Sequence, residues 1–353
     1  MRPFVFLCVA LLLSWRAAGE QLQFDFGQMA SDGSLTNFQA ALFGGGGAVD
    51  WKVLPGEAPS QFAPLSGGPA KTSGGSALAQ LSQDPTDERF PMYIYQGDKY
   101  RNFKFTTQFK IVSGVMEQMA GVVFRYQNSS NFYVVRVSAL GKNIRFYKVV
   151  DGVRSDPIGP ACTLEPGTWH QLAVRCEGNQ IFVALDGKLV MPALGDTTFT
   201  DGQIGFWTKS DSVTYFANAS LEYTPLIPPA QVLVDNVMRA QPRILGLQIY
   251  TLTSSNAPET TAVLASNNPA DKGLPGGEGE LAAIQDGKVY FGRDKGTVLI
   301  TLPLHDRNGD YIAAVRLKLK SFFGETQDNA LNRAMLILNF MQTFGTSAAD
   351  LKK

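Results

Sequence analysis

Glu165 to Val190 reads EPGTWHQLAVRCEGNQIFVALDGKLV, a turn, a strand, a second turn and a second strand. Pro166-Gly167 punctuates the entry. From Trp169 to Arg175 the residues alternate, with Leu172 and Val174 on one side and Gln171 and Arg175 on the other. Glu177-Gly178-Asn179 reverses the chain, Ile181, Val183 and Leu185 alternate again, and Asp186-Gly187 closes the unit with a type I′-style turn.

Strand signals continue outward from this hairpin. They recur at Tyr93 to Tyr95, Phe103 to Val112, Gly121 to Gln127, Phe132 to Val137, Ile144 to Val150, Gly202 to Lys209 and Tyr215 to Tyr223. Short strands at regular spacing, with turn residues between and little helical periodicity, predict an all-β sandwich. A first strand is expected over Leu22 to Phe26. The Gly/Pro/Ser-rich stretch from Gly44 to about Pro85 reads as surface loops, with Trp51 pinning them to the sandwich.

The hairpin pattern resembles the concanavalin A-like jelly-roll families: laminin-G-like domains and the related 3-keto-disaccharide hydrolase family. Those families bind or cut saccharides, so the resemblance implies a glycan partner. After Pro225, Pro228 and Pro229 the pattern changes. Apolar residues at helical spacing run from Ala230 to Ile249, broken near Pro242. Strands are expected at Thr261 to Ser266, Lys288 to Phe291, Gly296 to Leu304 and Tyr311 to Leu319, and a helix from Asp328 to Phe344. The run TLPLHDRNGDYIAAVRLKLK is similar to the central hairpin of Cache/PAS-like sensor domains. That likeness implies an α+β domain cupping a small ligand, with Tyr290, Arg293 and Arg316 as pocket-lining candidates. The expected organisation is a signal peptide over 1–19, a concanavalin A-like β-sandwich over 20–226 and a Cache/PAS-like domain over 227–353. The fold class is mainly β, a jelly roll plus a smaller α+β PAS-like domain.

The 353 residues carry 31 basic and 31 acidic side chains and are 44% hydrophobic. A balanced charge without basic runs disfavours nucleic acid as a partner. Arg2, the apolar run Phe4 to Leu13 and the small residues Ala17-Ala18-Gly19 read as a secretory leader cleaved near Gly19. With no other apolar run long enough to span a bilayer, a secreted or periplasmic location is expected. Cys162 and Cys176 remain after cleavage. A disulfide between them would contribute about 3 kcal/mol, and two buried thiols are the alternative. His170 and His305 show no metal-ligand spacing; neither a metal nor another cofactor is expected.

Alternation places Arg125, Gln127, Arg136, Arg145 and Tyr147 on one sheet face, with Val122, Phe124, Tyr133, Val135, Val137, Ile144 and Phe146 on the other. In the pairing this assumes, Arg125 opposes Val134, Arg136 opposes Arg145 and Val134 opposes Tyr147. The second set forms the core. The first is a cationic, aromatic-edged surface that Trp207, Gln171 and Arg175 extend. Guanidinium groups suit hydroxyl or carboxylate recognition, and aromatic faces stack on sugar rings; the plain alternative is a solvated face. Glycoside hydrolysis ordinarily needs two carboxylates about 5 to 10 Å apart. The jelly-roll string Glu-x-Asp-x-(x-)Glu does not occur in this sequence. Where the keto-disaccharide hydrolase family shows a Tyr-Glu step, this chain has Tyr133-Val134. Trp169 and His170 read as packing residues, and no triad is evident. The expectation is a non-catalytic saccharide- or glycan-binding protein with an accessory small-ligand, sensor-like module. The alternatives are a 3-keto-disaccharide-type hydrolase or lyase, and a structural envelope adhesion or scaffold protein.

Overall fold

The computed structural model describes residues 19–31, 33–59, 75–253, 259–343 and 347–352; the leader read at the N-terminus lies outside them, except for Gly19. The chain divides into two compact units, Met1–Leu226 and Ile227–Lys353. The first is built from two large antiparallel sheets, a jelly-roll-type sandwich.

The first sheet runs, in spatial order, through Lys188–Leu189, Gln180–Leu185, His170–Glu177, Phe103–Ser113, Val213–Tyr223, Ala77–Gln80 and Trp51–Leu54. Glu20–Phe24 is added alongside Val213–Tyr223. The second runs through Val153–Arg154, Asn143–Val150, Asn131–Ser138, Met119–Asn128, Gln203–Trp207, Arg89–Tyr95 and Phe38–Gly44. The hairpin has the expected register. Glu177 lies opposite Gln180 and Leu172 opposite Leu185, and both Asp186 (φ 48°) and Gly187 (φ 77°) take the left-handed conformation of a type I′ turn. Leu172, Val174, Cys176, Ile181 and Val183 point into the core.

That core is aromatic. Phe24, Phe38, Phe105, Phe206 and Phe216 meet at ring separations of 4.9 to 6.1 Å. All seven residues read as the inward set of the second sheet belong to it. Trp51 does pin its segment to the sandwich, its indole stacking on Tyr93 at 5.4 Å, but it begins an edge strand and does not lie in a loop. A strand at Phe38–Gly44 leads into the glycine-rich stretch, and another, Ala77–Gln80, lies within it. The first strand spans Glu20–Phe24, and Phe26 already belongs to a one-turn helix capped by Asp25.

Both cysteines are free thiols. Cys176 is buried where it faces Phe103 and Ile181, and burial raises its pKa to about 12. Cys162 bonds through its N–H to Lys142 O, and burial, with the charge of Asp186 adding to it, raises its pKa. Asp186 lies against the start of the same strand, at Gln171.

The second unit holds a five-stranded antiparallel sheet in the order Thr261–Ser266, Ile244–Leu252, Tyr311–Lys320, Thr297–His305, Tyr290–Asp294. Helices Pro229–Ala240 and Gln327–Gln342 share one apolar core with the sheet. Helix Glu278–Asp286 packs on a second cluster of Tyr250, Val263, Ala283, Ile284 and Ala314. Leu245 and Ile249 therefore lie on a strand rather than continuing the first helix. Their spacing of four fits both periods, and the sheet settled it. Glu280, 1% exposed, accepts hydrogen bonds from Arg316 Nε (3.0 Å), Thr301 Oγ1 (3.1 Å) and Gly277 N (2.9 Å) and so pins its helix to the sheet.

One loop of the first unit bears on its chemistry. The carboxylate of Asp211 accepts from the N–H groups of Val115 (2.6 Å), Met116 (3.0 Å) and Glu117 (3.0 Å). Burial by itself would raise the pKa of this carboxyl, but the three N–H groups hold it below its ordinary value. A depressed folded-state pKa stabilises above the unfolded value near 3.9, and the contribution fades as pH falls through the folded one. Asp211→Asn is expected to cost about 2 kcal/mol at pH 7. In urea unfolding across pH 7 to 2, its deficit against the natural chain should shrink in acid.

Candidate functional site

The outward face of the second sheet is as apolar at its base as the inward one. Phe90, Met92, Val123, Phe132, Val134, Tyr147 and Trp207 form a separate buried cluster there. Phe90 stacks on Trp207 at 5.8 Å and Tyr147 meets Trp207 edge-on at 6.2 Å. A layer of charged side chains covers this floor. The Arg154 guanidinium lies over Phe90 (5.6 Å) and Tyr147 (5.7 Å), and Lys209 Nζ lies over Phe90 (5.9 Å).

Four of the sequence-derived candidates meet here. Arg136 and Arg145 are directly opposite on neighbouring strands, as are Val134 and Tyr147. Trp207 pairs with Gly121, which also faces Arg136. Any side chain at Gly121 would come within 3.0 Å of both Trp207 and Arg136, so glycine permits this packing. Tyr147 and Trp207 are only 4% and 1% exposed. They serve as floor and not as stacking platforms for a sugar ring, which corrects the expectation of an open aromatic edge. Burial raises the Tyr147 phenol well above its ordinary pKa and keeps it a hydrogen-bond donor. Burial lowers the pKa of Arg136, and the charges of Arg145 and Arg154 add to this against the pull of Tyr147 and Glu117.

The other candidates do not join them. A β-bulge at Arg125 (φ 48°) shifts the register, so Val134 faces Val123 and not Arg125. Phe124 packs in the core, Tyr126 against the outer cluster, and Arg125 turns inward over the Tyr133 ring at 5.8 Å. The Arg125 guanidinium is fully buried and donates to Phe199 O (2.6 Å) and Gly178 O. It thereby ties the tip of the opening hairpin to the second sheet. Gln127 donates to Asp201 O (2.5 Å) and Arg125 O (3.2 Å), bracing the same corner. Gln171 and Arg175 belong to the first sheet, where Arg175 pairs with Glu177 and lies over Phe182 at 3.9 Å.

Pattern reading missed the acids of this face. Lys209 Nζ donates to Asp87 Oδ1 (2.7 Å) and Glu117 Oε1 (2.9 Å), and Arg154 pairs with Glu88 (3.3 Å). Burial would lower the Lys209 pKa, but its two carboxylates raise it overall, and Lys209 in turn lowers that of Asp87. These groups come from four separate segments, and no local motif links them.

A hydrogen-bonded row, Thr168–His170–Asp186, was also unforeseen. His170 Nδ1 lies 2.8 Å from Asp186 Oδ2 and its Nε2 lies 3.0 Å from Thr168 Oγ1. The Thr168 hydroxyl also donates to Glu165 O at 2.5 Å, and the ring packs on Phe109 at 5.8 Å. The row therefore closes the hairpin's first turn, and the hydroxyl is committed to that turn.

In the second unit Arg316 is paired with Glu280 and donates to Tyr250 Oη at 3.0 Å, and Arg293 donates to Glu325 O at 2.6 Å. Tyr290 is exposed at the sheet edge. Among the described residues no cluster of His, Cys, Asp and Glu has metal-site geometry, and no helix is long and apolar enough to cross a membrane.

The family profile of the 3-keto-α-glucoside-1,2-lyase-like domain matches residues 39–222. The chain belongs to that family. No curated protein matches it. Among solved structures, the carbohydrate-binding module CBM66 of Bacillus subtilis is 19% identical, with 49% of this chain and 94% of that one covered and a TM-score of 0.36. A Bacillus subtilis protein of unknown function with a galectin-like fold is 10% identical, covering 49% and 89%, TM-score 0.34. A galectin of Caenorhabditis elegans is 7% identical, covering 35% and 80%, TM-score 0.25.

The placement of Arg125 predicts that Arg125→Ala acts on stability. Removing a buried guanidinium with two carbonyl acceptors should cost about 3 kcal/mol, read as a lower urea midpoint.

Proposed function

We propose that the first unit binds saccharide, without cleaving it, on the charged outer face of the second sheet. The observation that carries this reading is the outer face itself, where Arg136 and Arg145 stand opposite each other on adjacent strands and the Arg154 guanidinium lies over the buried aromatic floor. Guanidinium groups held by packing lose little freedom on binding and offer paired donors to sugar oxygens. Family membership supports a glycan as the partner. Val134 supports binding over cleavage. It occupies the position where the family's Tyr-Glu step would place an acid, and it is a fully buried part of the floor between Val123 and Tyr147.

A second reading is a lyase or hydrolase acting on 3-keto-glycosides. It is favoured by the family and by Asp87 and Glu117, two carboxylates held on one ammonium. Because both are engaged by Lys209, this reading requires the substrate to displace at least one of them.

A secreted or periplasmic location fits a glycan partner and the N-terminal leader pattern. The Cache/PAS-like reading of the second unit is supported by its strand order, with the first and last strands adjacent at the centre. Its own Glu280–Arg316 pair fills the polar part of the sheet face, which argues against a small ligand at that point.

Titration of the purified chain with a glycan panel, alongside incubation with a 3-keto-disaccharide, tests these readings. The expected result is saturable binding that weakens about tenfold or more in Arg136→Ala, with no turnover. Turnover lost in Glu117→Gln would establish the second reading instead.

A further inference from the structure

Resting on the saccharide-binding reading above, we propose that Arg136 and Arg145 form an anion subsite for the carboxylate or sulfate of an acidic sugar. The two arginines face each other across adjacent strands, an arrangement in which like charges repel. The acids of the face lie elsewhere: Glu88 on Arg154, and Asp87 and Glu117 on Lys209. No carboxylate of the described residues lies within the 4.0 Å ion-pair distance of Arg136 or Arg145. Among the described residues Arg136 bonds to the neutral amide oxygen of Asn143; burial chiefly disfavours its charged form, with Arg145 and Arg154 adding to this and Tyr147 and Glu117 opposing it.

The uncommitted groups around this pair are donors. Trp207 Nε1 is buried with no hydrogen-bond partner among the described residues, and its indole packs beside the backbone that faces Arg136. The phenol of Tyr147 is kept protonated by burial. Facing cations without a carboxylate partner select a negatively charged ligand. A carboxylate or sulfate on a pyranose supplies both features beside the neutral hydroxyls that the rest of the face recognises.

Calorimetric titration of the full chain with three probes tests this: an oligogalacturonide, a neutral galacto-oligosaccharide of equal length, and its sulfated derivative. At least one acidic probe should bind about tenfold or more tightly than the neutral one, and the preference should shrink with added salt. Arg145→Gln should bring the acidic-to-neutral ratio close to one. Arg145→Lys, which keeps the charge and loses the planar fork, should retain part of it. Equal affinity for acidic and neutral probes, or a preference that survives Arg145→Gln, overturns the anion subsite while leaving saccharide binding intact. Failure of all three probes to bind overturns both.

Discussion

The outer face of the second sheet depends on one constraint: a single sheet has two apolar faces, and only one of them meets the other sheet. Phe90, Val123, Val134, Tyr147 and Trp207 have to be shielded from water without a second layer of strands. Long cationic side chains do this, setting their charged ends over the ring faces. Arg154 and Lys209 are positioned by this floor, and their acids follow by charge pairing. Arg136 and Arg145 are left facing each other because strand register, and not ion pairing, puts them there. The chemistry of the face is thus a consequence of how its apolar base is covered.

A second constraint holds the frame. Arg125, the first candidate on pattern grounds, is consumed by the architecture: its guanidinium joins the hairpin turn at Gly178 to the second sheet. The Asp211 carboxylate does similar work at the loop that supplies Glu117. Buried charge here fixes the positions of chain segments, and the exposed charge is what remains for recognition.

Much of the fold was legible because alternation is a strong signal wherever one strand face is buried. The hairpin register, the inward set from Val122 to Phe146 and the pairing of Arg136 with Arg145 all follow from it. Parity reasoning failed at Arg125 because a bulge inserts one residue and reverses the facing beyond it, and nothing in FRYQN marks the bulge. It also could not show that the outward face is apolar at its base, since Val134 and Trp207 look like ordinary strand residues. Helix Glu278–Asp286 was missed because its buried side amounts to little more than Ala283 and Ile284 beside glycines. The Asp87–Lys209–Glu117 group was out of reach for a different reason, as only tertiary folding brings those segments together.

The central claim, recognition through the arginines of the outer face, is open to a direct test. Arginine Nε–H resonances can be assigned by substitution and followed by NMR while a bound saccharide is titrated in. The account predicts shifts confined to Arg136, Arg145 and Arg154, with Arg125 and Arg175 unmoved. Shifts at Arg175 on the opposite sheet, with the three arginines of the outer face silent, would contradict it.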